Sequence, residues 1–178
     1  MKVLGLCGSL RKHSRSLALL EATSILASGQ IEFRIFNGLG NLPLFNPDIE
    51  HVAPSSVHAL WEAVNWADTL IIASPEYAHG VTGTIKNALD WLVGYVPFVG
   101  KPVAVFNPSH RAEHADESLK ETLRTMNACL ISEACVRIPS TGSELSANGM
   151  ASSSEFSNRI NSTLVAITRF HLSQSGQS

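Results

Sequence analysis

The segment CGSLRKHSRS, residues 7–16, sets three serines and four basic or potentially basic side chains (Arg11, Lys12, His13 and Arg15) behind a short apolar run. Ser9, Ser14 and Ser16 offer hydroxyls, and Arg11 offers a fork of N–H donors. A helix starting near residue 14 would leave its first backbone N–H groups without partners. That combination suits a terminal phosphate, whose oxygens accept hydrogen bonds from every side. The same residues also fit a plainer role, with one serine capping the helix and the cations forming a solvated rim. Neither G-x-G-x-x-G nor G-x-x-x-x-G-K-[ST] occurs in the segment, which excludes a dinucleotide fingerprint and a nucleoside-triphosphate loop.

A second candidate is SPEYAHG, residues 74–80. Pro75 fixes its own φ and biases Ser74 toward extended geometry. Backbone amides held in this way can meet a planar heterocycle edge-on, with Tyr77 as an aromatic wall or as a residue at a subunit contact. Glu76 has no histidine or second carboxylate beside it in a pattern that would make it a general base. His79 stands in the same turn, where a lone loop histidine is normally solvated. A third loop, residues 107–111, holds Asn107, Ser109 and His110. His110 and His114 share the i, i+4 spacing of a helix face, but H-E-x-x-H is absent and a metal site would need a third ligand, so no metal is expected. Cys7, Cys129 and Cys135 form no C-x-x-C pair and read as small buried hydrophobes in a reducing compartment. With no G-x-S-x-G elbow either, no catalytic nucleophile is expected.

The elements that must position these loops follow from patterning. Residues 3–7, 69–74 and 101–107 are short apolar runs, as expected of strands buried on both faces, and residues 31–36 alternate. A less regular fifth strand lies within CLISEACVRI, residues 129–138. Helical spacing of apolar residues marks 16–27, 55–67, 84–93, 112–128 and 154–172, while 37–50, 75–83 and 139–151 read as loops. Strand and helix alternating five times argue for a parallel sheet covered on both faces. In such sheets ligands sit beyond the carboxyl ends of the strands, where the three loops should converge.

The 178 residues suit one domain, 1–172, with 173–178 as a frayed tail. The net charge of -2 points to neither a nucleic-acid nor a membrane partner. No apolar run approaches the roughly 20 residues of a membrane span, and MKVLGLCGSL is too short in its apolar part for a signal peptide, so a cytoplasmic protein is expected.

GSLRKHSRS resembles the phosphate loop of the NADPH-dependent FMN reductase family, which includes quinone, chromate and azo-dye reductases. SPEYAHGVTGTIKNALDW resembles that family's second signature, and LPLFNPD (42–48) the segment after its second strand. The resemblance runs from about Lys2 to Leu172. It implies a flavodoxin-like α/β fold with a five-stranded parallel sheet of order 2-1-3-4-5. It further implies FMN as cofactor, NADPH or NADH as hydride donor, and a small electron acceptor such as a quinone, free flavin or azo compound. Carried over by position, Ser9, Arg11, Ser14 and Ser16 would hold the phosphate. Pro75, Glu76, Tyr77, Ala78 and His79 would meet the flavin ring, and Asn107, Ser109 and His110 would line its other side. Lys86, Asn87, Asp90 and Trp91 would be structural, near the surface where members form homodimers or homotetramers. Four positions depart from the pattern: His13 for a common Gly, Ser16 for a common Asn, Ala78 for the usual Asn, and Thr82 for a common Pro. The third loop is also not Gly-rich. A flavodoxin-like electron carrier or flavin-binding regulatory protein without its own turnover is the alternative.

Overall fold

The computed structural model describes residues 1–27, 29–109, 112–138 and 146–175. Strands β1 (Lys2–Cys7), β2 (Glu32–Phe36) and β3 (Thr69–Ala73) pair in parallel with β1 central. Glu76–Tyr77 (β4) and Gly80–Val81 (β5) form a separate hairpin, and β6 (Pro102–Asn107) joins β3 in parallel. The expected fifth strand is split. β7 (Cys129–Leu130) pairs with the start of β6 and β8 (Val136–Arg137) with its end, so the sheet has six strands. A 3-10 turn, Ser132–Ala134, fills the gap and buries Ala134. There the N–H of Val105 donates to the Cys135 sulfur at 3.4 Å instead of to a carbonyl. The spatial order is otherwise as expected.

Alternation along the strands divides the core. Leu70 and Ile72 of β3 face one layer with Val57, Leu60 and Val64 of α2 (Ser55–Trp66), Ile85 and Leu89 of α3 (Gly83–Asp90), and Leu119 and Leu123 of α4 (Glu113–Thr125). Ile71 and Ala73 face the other layer. That layer holds Leu19 and Leu20 of α1 (Arg15–Leu26), Met150 of α5 (Ala147–Ser152), and Phe156, Ile160 and Ile167 of α6 (Ser154–Ser175). Helix α5 occupies part of the segment expected to be a loop. Ser146 caps it by accepting from the Gly149 N–H, and buried Met150 anchors it. Helix α6 continues to Ser175, past the expected end at residue 172.

On α6, His171 Nε2 lies 2.6 Å from Thr69 Oγ1. Burial pushes its imidazole below the usual value of 6.5. The unfolded chain therefore binds a proton first, and stability present above about pH 6.5 is lost as pH falls through the folded value. Urea unfolding midpoints should fall on acidification below that pH, and His171→Gln should flatten the dependence.

Candidate functional site

The carboxyl ends of β1, β3 and β6 open onto one cleft of about 960 Å³. Its first side is the turn from β1 into α1. Gly8 donates to the carbonyl of Ala73 at 2.8 Å, which locks the two strand ends together. A Cβ at Gly8 would lie 2.2 Å from Ser74 Oγ and 2.8 Å from Ile85 Cγ1, so only glycine fits this crossing. Cys7 is buried, its thiol is pushed up by burial, and its Sγ donates to the Ser9 carbonyl at 3.4 Å. It braces the loop as a neutral thiol and offers no thiolate.

The three serines form the buried floor of this turn. Ser9 Oγ accepts from the Arg11 N–H at 3.3 Å, and Ser14 Oγ caps α1 by accepting from the Leu17 N–H at 3.4 Å. Ser16 is 1% exposed, and among the described residues its Oγ alone is a buried side-chain polar atom without a hydrogen-bond partner. Buried hydroxyls are normally satisfied, and one left unpaired costs about 1–3 kcal/mol. Ser16 also lines the cleft, beside the first N–H groups of α1, which have no carbonyl of their own to meet. Lys12, His13, Arg15 and Glu21 border the same side.

The second side comes from the loop after β3. Pro75, Glu76 and Tyr77 line the cleft, with Tyr77 52% exposed. The segment expected to be a plain loop is the β4–β5 hairpin. Its tip residues Ala78 and His79 have φ of 51° and 59°, the pattern of a type I′ turn. Both stand at the tip, beyond the residues that line the cleft. Glu76 fixes the hairpin's place. One carboxylate oxygen accepts from the Ala115 N–H at 2.8 Å, capping α4 where Ala112 supplies no side-chain cap, and the other lies 3.2 Å from His79 Nδ1. Its carboxylate thus acts as a cap across elements. An alanine in the left-handed region is strained by about 1–2 kcal/mol. Ala78→Gly should therefore raise the urea midpoint by an amount equivalent to about 1 kcal/mol with the slope unchanged.

On the third side, Pro108 and Ser109 line the cleft, but Asn107 does not. Asn107 is 2% exposed. Its Nδ2 donates to the Ala112 carbonyl at 2.8 Å and its Oδ1 accepts from the Ser109 N–H at 3.0 Å, so it shapes the loop from beneath. His110 lies outside the described residues. His114 sits edge-on to His79 at 4.6 Å between ring centroids, and among the described residues no group of three His, Cys, Asp or Glu could hold a metal. Ser146 and Ala147 at the start of α5, and Glu21 on α1, also line the cleft and were not anticipated from sequence. The serine cap followed by apolar Met150 is the one local signal that marked α5.

The model of the NADPH-dependent FMN reductase family matches residues 1–142. The chain belongs to that family. Members of the family are FMN-dependent NAD(P)H oxidoreductases, and so is this enzyme. It is 34% identical to an NAD(P)H-dependent FMN reductase of Pseudomonas aeruginosa, over 84% of this chain and 83% of that one. It is 31% identical to a 2-hydroxy-1,4-benzoquinone reductase of a Burkholderia species, over 84% of each chain. Among solved structures it is similar to FerB, a flavoenzyme NAD(P)H:(acceptor) oxidoreductase of Paracoccus denitrificans. The TM-score is 0.79 at 30% identity, covering 89% of this chain and 90% of that one.

The site of this FMN reductase fits its cofactor. A phosphate monoester needs donors on several sides, and the turn supplies the unpaired Ser16 hydroxyl, the first amides of α1 and the Arg11 guanidinium. Pro75 and Tyr77 supply an apolar-edged wall suited to a planar ring. The signature residues of α3 hold the scaffold. Asn87 accepts from the Phe45 N–H at 2.8 Å and donates to the Pro43 carbonyl at 2.9 Å, tying the 42–48 segment to the helix. Lys86 pairs with Asp90 one turn along.

Proposed function

We propose that this FMN reductase oxidises NAD(P)H and delivers the electrons to a small acceptor such as a quinone, a free flavin or an azo compound. The buried, unpaired Ser16 hydroxyl at the head of α1 carries the reading, because it marks the floor of the cleft as the seat of a strongly accepting ligand group. Ser9, Ser14, Ser16 and Arg11 bind the phosphate end of FMN. Pro75, Glu76 and Tyr77 orient the ring through their backbone, and Ser109 closes the opposite side. Bound FMN supplies the two-electron redox centre, and the protein supplies position and field. Ala78 and His79 hold the hairpin tip near this ring without lining the cleft. The named activities of the relatives support a small acceptor.

The enzyme acts as one domain and as a homo-oligomer in the cytoplasm. Exposed Leu44, Val93, Val96 and Val99, on segments next to α3, support self-association. Among the described residues no helix is long and apolar enough to cross a membrane.

The test is an absorbance titration of the purified protein with FMN, followed by NADPH under nitrogen and then benzoquinone. Stoichiometric flavin binding, bleaching by NADPH and quinone-dependent turnover are expected. A protein that stays colourless with FMN overturns the site. One that binds FMN but does not oxidise NADPH or NADH is a carrier, and the enzymatic reading fails.

A further inference from the structure

The cleft carries more cationic character than one phosphate requires. Arg11, Lys12, His13 and Arg15 all line it, in a chain whose net charge is -2. They stand at two levels. Ser9, Ser14 and Ser16 are buried in the floor, whereas Lys12, His13 and Arg15 are exposed along the rim. With Arg11, exposed like them, and the head of α1 assigned to the FMN phosphate by the function proposed above, three side chains above the floor are left without a task.

Their lack of partners is unusual in this molecule. Arg34 pairs with Glu32, Lys120 with Asp116 and Arg137 with Glu113. Lys101 donates to the Ala67 carbonyl, and Lys2 lies over the Trp66 ring. Among the described lysines and arginines, only Arg11, Lys12, Arg15 and Arg169 have neither an acceptor nor a ring partner. Three of those four fall within five residues at one cleft. Glu21 shares the cleft yet forms no ion pair with them. Clustered like charges repel one another, and an anion entering from outside relieves that repulsion.

The reaction offers such an anion. NADPH and NADH differ only in a 2′-phosphate on the adenosine ribose, remote from the nicotinamide that gives up hydride. Resting on the function proposed above, we propose that Lys12, His13 and Arg15 form a subsite for this 2′-phosphate, so that the enzyme selects NADPH over NADH. A guanidinium and an ammonium flanking one dianion is the pairing that charge-assisted recognition favours. These side chains are exposed and reach no reacting atom, so the subsite acts on donor affinity and leaves the chemical step alone.

Two measurements on FMN-loaded protein at low ionic strength test it. Calorimetry of the parent should give adenosine 2′,5′-bisphosphate at least tenfold tighter than adenosine 5′-monophosphate, and the double variant Lys12→Ala/Arg15→Ala should lose that margin. In steady state, the ratio of kcat/KM for NADPH to that for NADH should fall about tenfold in the double variant, through KM. Arg169→Ala, which removes the remote unpartnered arginine, should keep the parental ratio. Equal binding of the two nucleotides by the parent overturns the subsite, as does an equal loss for both donors in the double variant, which would mean undirected attraction. A parent that oxidises both donors equally well overturns the subsite while leaving the proposed function intact. A parent that oxidises neither overturns that function, and the calorimetry still decides the subsite.

Discussion

Arg11→Ala should give a folded protein that no longer retains FMN. The Arg11 side chain is exposed at the cleft and has no ion-pair partner within the chain, so its removal disturbs no packing. A charge-assisted hydrogen bond to phosphate contributes roughly 1.5–3 kcal/mol, which converts to about a 10- to 150-fold rise in the Kd for FMN. Flavin fluorescence titration measures the rise, and circular dichroism of the flavin-free variant checks the fold. Ser16→Ala separates this site from a general weakening. Removing a buried hydroxyl that has no partner should stabilise the flavin-free protein by about 1–3 kcal/mol while FMN affinity falls. An Arg11→Ala protein with parental affinity would place the phosphate elsewhere.

Trp91→Ala should be the most destabilising single change. Trp91 has no solvent exposure, its indole N–H donates to the Pro43 carbonyl at 2.9 Å, and its ring meets Phe45 edge-on at 5.1 Å. Its own carbonyl accepts from Trp61 Nε1 at 2.8 Å. Truncation empties a large core site at a cost of about 3–5 kcal/mol, against a total stability of about 5–15 kcal/mol for a domain of this kind. Trp91→Phe keeps most of the packing and loses the indole bond, for about 1 kcal/mol. Urea unfolding of the two variants gives the comparison. Similar losses in both would mean that the contact with Pro43, and not the buried volume, secures the 42–48 segment to α3.

What could be read from the chain was whatever rested on local rules. The apolar runs of β1, β3 and β6 and the cap at Ser14 are set by burial and hydrogen-bond demand within a few residues. The β4–β5 hairpin was not legible, because Ala78 and His79 are poor turn formers. It is held from outside, by Glu76 reaching the head of α4. The inward turn of Asn107 is illegible for a similar reason. A polar residue at a strand end can face ligand or loop, and only the position of Ala112 turns its amide inward. The break between β7 and β8 depends on a sulfur meeting the Val105 N–H, a pairing that no periodicity announces. Ser146 and Ala147 reach the cleft only because α5 packs beside α1 in the layer anchored by Met150.

That break also closes one margin of the sheet to other chains. An unpaired strand at the margin of a sheet is a template for another chain, and proteins blunt it with charge, brevity or interruption. Here one margin is β2, where exposed Glu32 and Arg34 pair with each other. The other margin offers two residues, a helical turn, and two residues again. Neither invites a neighbour to extend the sheet. Edge-to-edge growth of the sheet is therefore blocked on both sides, and crowding this protein to high concentration should not yield fibrils.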